Sequence, residues 1–96
     1  MKDERIRLHA WIHGHVQGVG FRYYTLEKAT QLNLTGWVRN TSSGDVEVLA
    51  EGEREKLENL LILLKRGPRS AVVTEITLQW EHATGEFENF RLRATV

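Results

Sequence analysis

The chain has 96 residues, 41% hydrophobic and 27% charged, which is the size and composition of one compact domain spanning residues 1–96 and not of two domains or a disordered chain. Thirteen basic and thirteen acidic residues cancel, leaving no general field to hold nucleic acid or an anionic membrane, and the absence of cysteine excludes disulfides and thiolate metal sites. The charged start, Met1-Lys2-Asp3-Glu4-Arg5, leads directly into a strand pattern with no apolar stretch behind it, so the expectation is a cytoplasmic protein without signal peptide or membrane span, working as a monomer.

Ile6, Leu8, Ala10 and Ile12 alternate with Arg7, His9, Trp11 and His13, the period of a strand with one buried and one wetter face, and place a first strand over residues 5–13. A glycine-rich turn follows, and then a first helix whose Phe21, Thr25, Ala29 and Leu32 fall on one stripe widened by Leu26. The helix ends near Asn33, since asparagine is next to glycine in its tolerance of a left-handed cap. Gly36 to Asn40 and Asp45 to Ala50 flank Thr41-Ser42-Ser43-Gly44, which is a hairpin signal. Leu57, Leu60, Leu61 and Leu64 mark a second helix, with Glu53 and Glu55 early, Lys65 and Arg66 late, and Gly67-Pro68 as its stop. The run Glu51 to Glu58 reads as its solvated start. Thr74, Ile76, Leu78 and Trp80 alternate as a fourth strand, and Phe90, Leu92 and Ala94 as a fifth, with a loop over residues 82–86 between them. The order β-α-β-β-α-β with a short extra strand predicts an α+β, ferredoxin-like split βαβ arrangement: one sheet, two helices on one face, the other face open to water.

The turn is the sharpest chemical feature. Residues 13–22 read His-Gly-His-Val-Gln-Gly-Val-Gly-Phe-Arg, and Gly14, Gly18 and Gly20 allow successive N–H groups to converge beside the positive end of a helix. Three glycines also suit a merely tight connection, and the pattern is neither a P-loop nor a dinucleotide fingerprint. Arg22 favours the anion cradle, because a cation in the first turn of a helix is opposed by the macrodipole by ~0.3–1 kcal/mol and a shared anion would compensate it. Asn40 has the strand parity of the buried Val38; its amide either ties the following turn to the backbone or positions a water. His9, His13 and His15 lie near one another, yet no carboxylate at ligand spacing joins them, so they read as half-exposed histidines and not as a metal site. His15 lies where it could meet a bound anion. No nucleophile elbow and no His–Asp pairing is legible, which argues against a covalent serine or cysteine intermediate. Trp11, Trp37 and Trp80 suit the sheet surface better than base stacking, since the third strand carries no aromatic residue.

Gly14-His15-Val16-Gln17-Gly18-Val19-Gly20-Phe21-Arg22 and Gly36-Trp37-Val38-Arg39-Asn40 together resemble the acylphosphatase family, and Val46 to Gly52 and Gly85-Glu86-Phe87 extend the resemblance over nearly the whole chain. It implies hydrolysis of acyl phosphates to a carboxylate and inorganic phosphate by attack of water on phosphorus, with no metal, no cofactor and no covalent intermediate. It further implies a phosphate cradle on Val16, Gln17, Gly18, Val19, Gly20 and Phe21, a catalytic arginine at Arg22 and a water-holding asparagine at Asn40. The departures are Ser43-Gly44, where members often carry Asp-Gly, and Asn33, where a helix-ending glycine is frequent. Neither touches the site.

Two other readings compete. One is a carbamoyl-phosphate-hydrolysing domain like that at the front of hydrogenase-maturation carbamoyltransferases, ranked lower because the chain reads as complete without downstream zinc-finger cysteines. The other is a non-catalytic phosphate-binding module, which would bind phosphate without turnover.

Overall fold

The computed structural model describes residues 4–96, so the charged start at Met1-Lys2-Asp3 lies outside the described residues. Its elements are β1 (Arg5–His15), α1 (Phe21–Gln31), β2 (Thr35–Asn40), β3 (Val46–Glu53), α2 (Arg54–Arg66), β4 (Val72–His82) and β5 (Phe90–Leu92). The strands form one sheet in the order β4-β1-β3-β2-β5, antiparallel throughout except for the parallel pair β2–β5. This is the ferredoxin-like split βαβ arrangement with a fifth strand added beside β2. Among the described residues no helix is long and apolar enough to cross a membrane.

The alternation in β1 does what its period implies: Ile6, Leu8, Ala10 and Ile12 are buried, and they pack with Val38, Val46, Val48 and Ala50 under Phe21 and Ala29 of α1 and Leu57, Leu60 and Leu64 of α2. Thr25 is buried in this layer too, its hydroxyl satisfied by donating to the Phe21 carbonyl at 2.9 Å. Both helix ends match expectation. Asn33 closes α1 in the left-handed region at φ 59°, with the Leu34 N–H returning to the Ala29 carbonyl. Gly67 closes α2, its N–H on the Leu63 carbonyl at 2.9 Å.

The topology brings two distant stretches to one end of the sheet. Since β1 and β2 both run antiparallel to the central β3, their C-terminal ends emerge together, and Ile12 and Asn40 stand on either side of the same residue, Val46. Two strand spacings separate them, about 10 Å.

Several boundaries differ from the sequence reading, β3 among them: it runs to Glu53 instead of Ala50, so Glu51 lies in the strand and α2 starts at Arg54. β1 continues to His15 because β4 starts early enough to pair Val72 with His15 and Val73 with Gly14, past an irregularity between His13 and Gly14. Gly14 therefore belongs to the sheet and not to the turn; a Cβ there would sit 2.1 Å from the Val72 carbonyl oxygen. β5 covers three residues, and after it the chain follows β2 through single bonds from the Arg93 N–H to Val38 and from the Val96 N–H to Asn40.

The helix-free face is not open to water at its centre. Glu47, Leu49 and Glu51 of β3 are buried there, and Glu51, expected in a solvated helix start, is only 1% exposed. Cross-strand partners explain this: Arg7 stands opposite Glu51 and Arg39 opposite Glu47. Arg39 Nε donates to Glu47 at 2.8 Å, and the His9 ring nitrogen lies 2.7 Å from the same carboxylate. Arg7 Nε donates to Glu51 at 2.8 Å, while the loop after β4 folds over the face and donates the Thr84 and Gly85 N–H groups to it, each at 2.9 Å. Trp37 is roofed by the Arg39 and Arg93 guanidinium groups.

Burial pushes the Glu51 carboxyl up, but the Thr84 and Gly85 amides and Arg7 outweigh it and hold the group below its ordinary value of about 4.5. The unfolded chain thus binds the proton more readily, so Glu51 stabilises the fold above about pH 4.5, and that contribution is lost as pH falls through the depressed native value. Glu47 behaves alike: burial raises it, and Arg39 and His9 bring it below the usual range. Glu51→Gln is expected to lower stability at pH 7 by roughly 1.5–3 kcal/mol, the worth of hydrogen bonds to a charged group, and to flatten the acid-induced fall in Tm. A wild-type Tm that stays level on acidification would contradict this account.

Candidate functional site

β1 ends at His15 and α1 starts at Phe21, leaving Val16 to Gly20 to turn the chain. The loop is pinned at both ends by core side chains, since Val16 and Phe21 are 1% and 2% exposed. Between these anchors Gly18 and Gly20 take φ of 74° and 81°, the left-handed region, in open space. Backbone conformation, and not crowding, calls for glycine at both positions. Gly20 is the N-cap of α1 and has no side chain to occupy the helix amides, and the first turn holds no acidic residue. Among the described residues, no backbone N–H from Gln17 to Arg22 donates to a protein acceptor.

Arg22 is half-buried in that first turn and makes no ion pair or hydrogen bond among the described residues. Asn40 is the last residue of β2, half-buried, on the face that Val38 and Val46 share. Its carbonyl accepts the Val96 N–H at 3.3 Å, and its side-chain amide makes no hydrogen bond among the described residues. The loop, Arg22 and Asn40 therefore gather at one end of the sheet, where the loop N–H groups from Gln17 to Arg22, the Arg22 guanidinium and the Asn40 side-chain amide have no protein partner among the described residues. His15 is exposed at the end of β1, adjoining the loop.

His9 and His13 have separate partners. His9 faces Glu47, while His13 lies 3.0 Å from Asp45 through Nδ1 and 2.9 Å from the Thr77 hydroxyl through Nε2. A surface depression of about 590 Å³ lies at the far end of β2 among Thr30, Asn33, Thr35 and Asn89, and none of the candidate phosphate-site residues lines it.

Sequence reasoning missed the side chain of Gln17, which joins the loop to the β2–β3 turn through Thr41 and Asp45. No local pattern reports such a bond. The buried Glu47 and Glu51 were also missed, and here a signal existed: both share parity with Leu49, and basic Arg7, His9 and Arg39 alternate on the neighbouring strands.

The acylphosphatase family model matches residues 8–92. An acylphosphatase of Nocardia farcinica is 48% identical over 88 residues, covering 92% of this chain and 88% of that protein. Among solved structures, an acylphosphatase from Bacillus subtilis is similar at a TM-score of 0.89 and 33% identity, over 92% of this chain and 98% of its own. Full-length HypF in a phosphate- and nucleotide-bound form also reaches 0.89 at 30% identity; the likeness spans 99% of this chain but 13% of HypF. A family match over most of the sequence, with relatives whose own length it nearly spans, establishes that this chain belongs to the acylphosphatase family.

Proposed function

We propose that the protein hydrolyses small acyl phosphates to a carboxylate and inorganic phosphate by direct attack of water on phosphorus, with no metal and no covalent intermediate. The observation that carries this reading is the run of uncommitted N–H groups from Gln17 to Arg22 beside the unpaired Arg22 guanidinium. Amides over residues 16–21 and the Arg22 fork hold the phosphoryl oxygens, and the bound anion offsets the macrodipole cost of Arg22. In the transition state negative charge spreads over the three equatorial oxygens, where preorganised donors stabilise it without reorganising.

Asn40 supplies an amide oxygen that accepts a hydrogen bond from water and aligns it opposite the leaving carboxylate. The water oxygen bonds to phosphorus as the phosphorus–acyl oxygen bond breaks, and a phosphoryl oxygen takes the proton. A carboxylate leaves readily without protonation, so no general acid is needed. His15, exposed beside the loop, contacts the acyl part in this reading. The working form in this reading is a cytoplasmic monomer acting on small molecules, with no nucleic-acid partner, in keeping with the balanced charge of the chain.

Titration with inorganic phosphate, followed through the backbone amide resonances, tests the cradle. The largest shifts are expected from Gln17 to Arg22. Shifts centred elsewhere would contradict the assignment.

A further inference from the structure

Gln17 carries two kinds of donor. Its backbone N–H belongs to the proposed cradle, whereas its side-chain Nε2 donates to the carbonyls of Thr41 and Asp45, both at 2.8 Å. Those carbonyls close the β2–β3 turn, where the Thr41 N–H donates to Asp45 and the Gly44 N–H to Thr41. Both amide hydrogens are used, and only one orientation fits, because the reversed amide would set its oxygen against two carbonyls. Thr41 directly follows Asn40, and Asn40–Val46 is the last pair of the β2–β3 ladder. Beyond it, the bond from Gln17 joins the strand end to the loop.

We propose that the Gln17 side chain is a positioning residue which fixes the separation of the phosphate cradle from Asn40, and that its effect on turnover passes through Asn40. This rests on the roles assigned above to the cradle and to Asn40. Water attack is sensitive to such a separation, whereas phosphate binding through loop amides and Arg22 is not. Loss of the side-chain donors leaves the turn closed, since each of the two carbonyls keeps a partner within it.

The test is a double-mutant cycle: kcat, KM and inhibition by inorganic phosphate, with a simple aromatic acyl phosphate, for wild type, Gln17→Met, Asn40→Ala and the double variant. Gln17→Met keeps the length of the side chain and removes both donors. It is expected to lower kcat by roughly 10–100-fold, to leave phosphate inhibition within about twofold, and to have no further effect once Asn40 is alanine. Equal losses in both backgrounds, or a matching loss of phosphate affinity, would overturn the proposal. If Asn40→Ala is impaired and Gln17→Met is not, this inference falls and the assigned function stands. If Asn40→Ala turns over like wild type, the role of Asn40 falls first and takes this inference with it. Gln17→Glu is a second probe, since its ionised form has no donor and faces two carbonyls. Its kcat relative to wild type should rise as pH is lowered through the carboxyl range, where protonation restores one donor. A flat ratio would count against the proposal.

Discussion

Arg22→Ala is expected to lower kcat by on the order of 10³–10⁵, the range found for an arginine that stabilises charge on a transferring phosphoryl group. Affinity for inorganic phosphate should weaken as well, by about 1.5–3 kcal/mol, since hydrogen bonds to a charged group are lost. Stability should move the other way or not at all. Arg22 has no protein partner among the described residues and sits in a first turn without an acidic neighbour, so its removal relieves an unfavourable dipole contact of ~0.3–1 kcal/mol. Loss of turnover at an unchanged or slightly higher Tm separates a catalytic role from a structural one. Ordinary activity in the variant would remove Arg22 from the mechanism.

Asn40→Ala should separate binding from chemistry. The side-chain amide makes no hydrogen bond among the described residues, and what Asn40 does structurally it does through its backbone, paired with Val46 and accepting from Val96. Stability should therefore change by no more than about 0.5 kcal/mol. Inhibition by phosphate should persist, while kcat falls by on the order of 10²–10³, as for removal of one preorganised polar group. A large loss of phosphate binding would instead make Asn40 a support for the cradle.

How far these residues could be read from the sequence depends on how local their causes are. The leucine spacing of α2, its charge order and its Gly67 stop are local, and all three are in place. The left-handed Asn33 and the alternation of β1 are local in the same sense. The length of β1 is not, because it depends on where β4 begins, 57 residues after His15, and that pairing turns Gly14 from a turn residue into a point of close strand approach. Glu51 shows the same limit more sharply. Its glutamate and lysine neighbours outweigh its parity with Leu49 and suggest a solvated residue, yet Arg7 and the Thr84–Gly85 amides, 44 and 33–34 residues away, bury it. The candidate site stands out in the sequence more than the helix-free face does. Gly18, Gly20 and Arg22 break local preferences that no neighbour repairs, and such breaks are visible without a structure. The side chain of Gln17 breaks none, and only the fold reveals what it holds.

The most direct test of the central claim is phosphate release from a simple aromatic acyl phosphate, measured in the presence of a chelator with Arg22→Ala run beside the wild type. Rapid, chelator-insensitive hydrolysis that collapses in the variant is the result expected of a metal-free acylphosphatase working through this loop. Release no greater than that of the variant, from folded wild-type protein, or release abolished by the chelator, would contradict it.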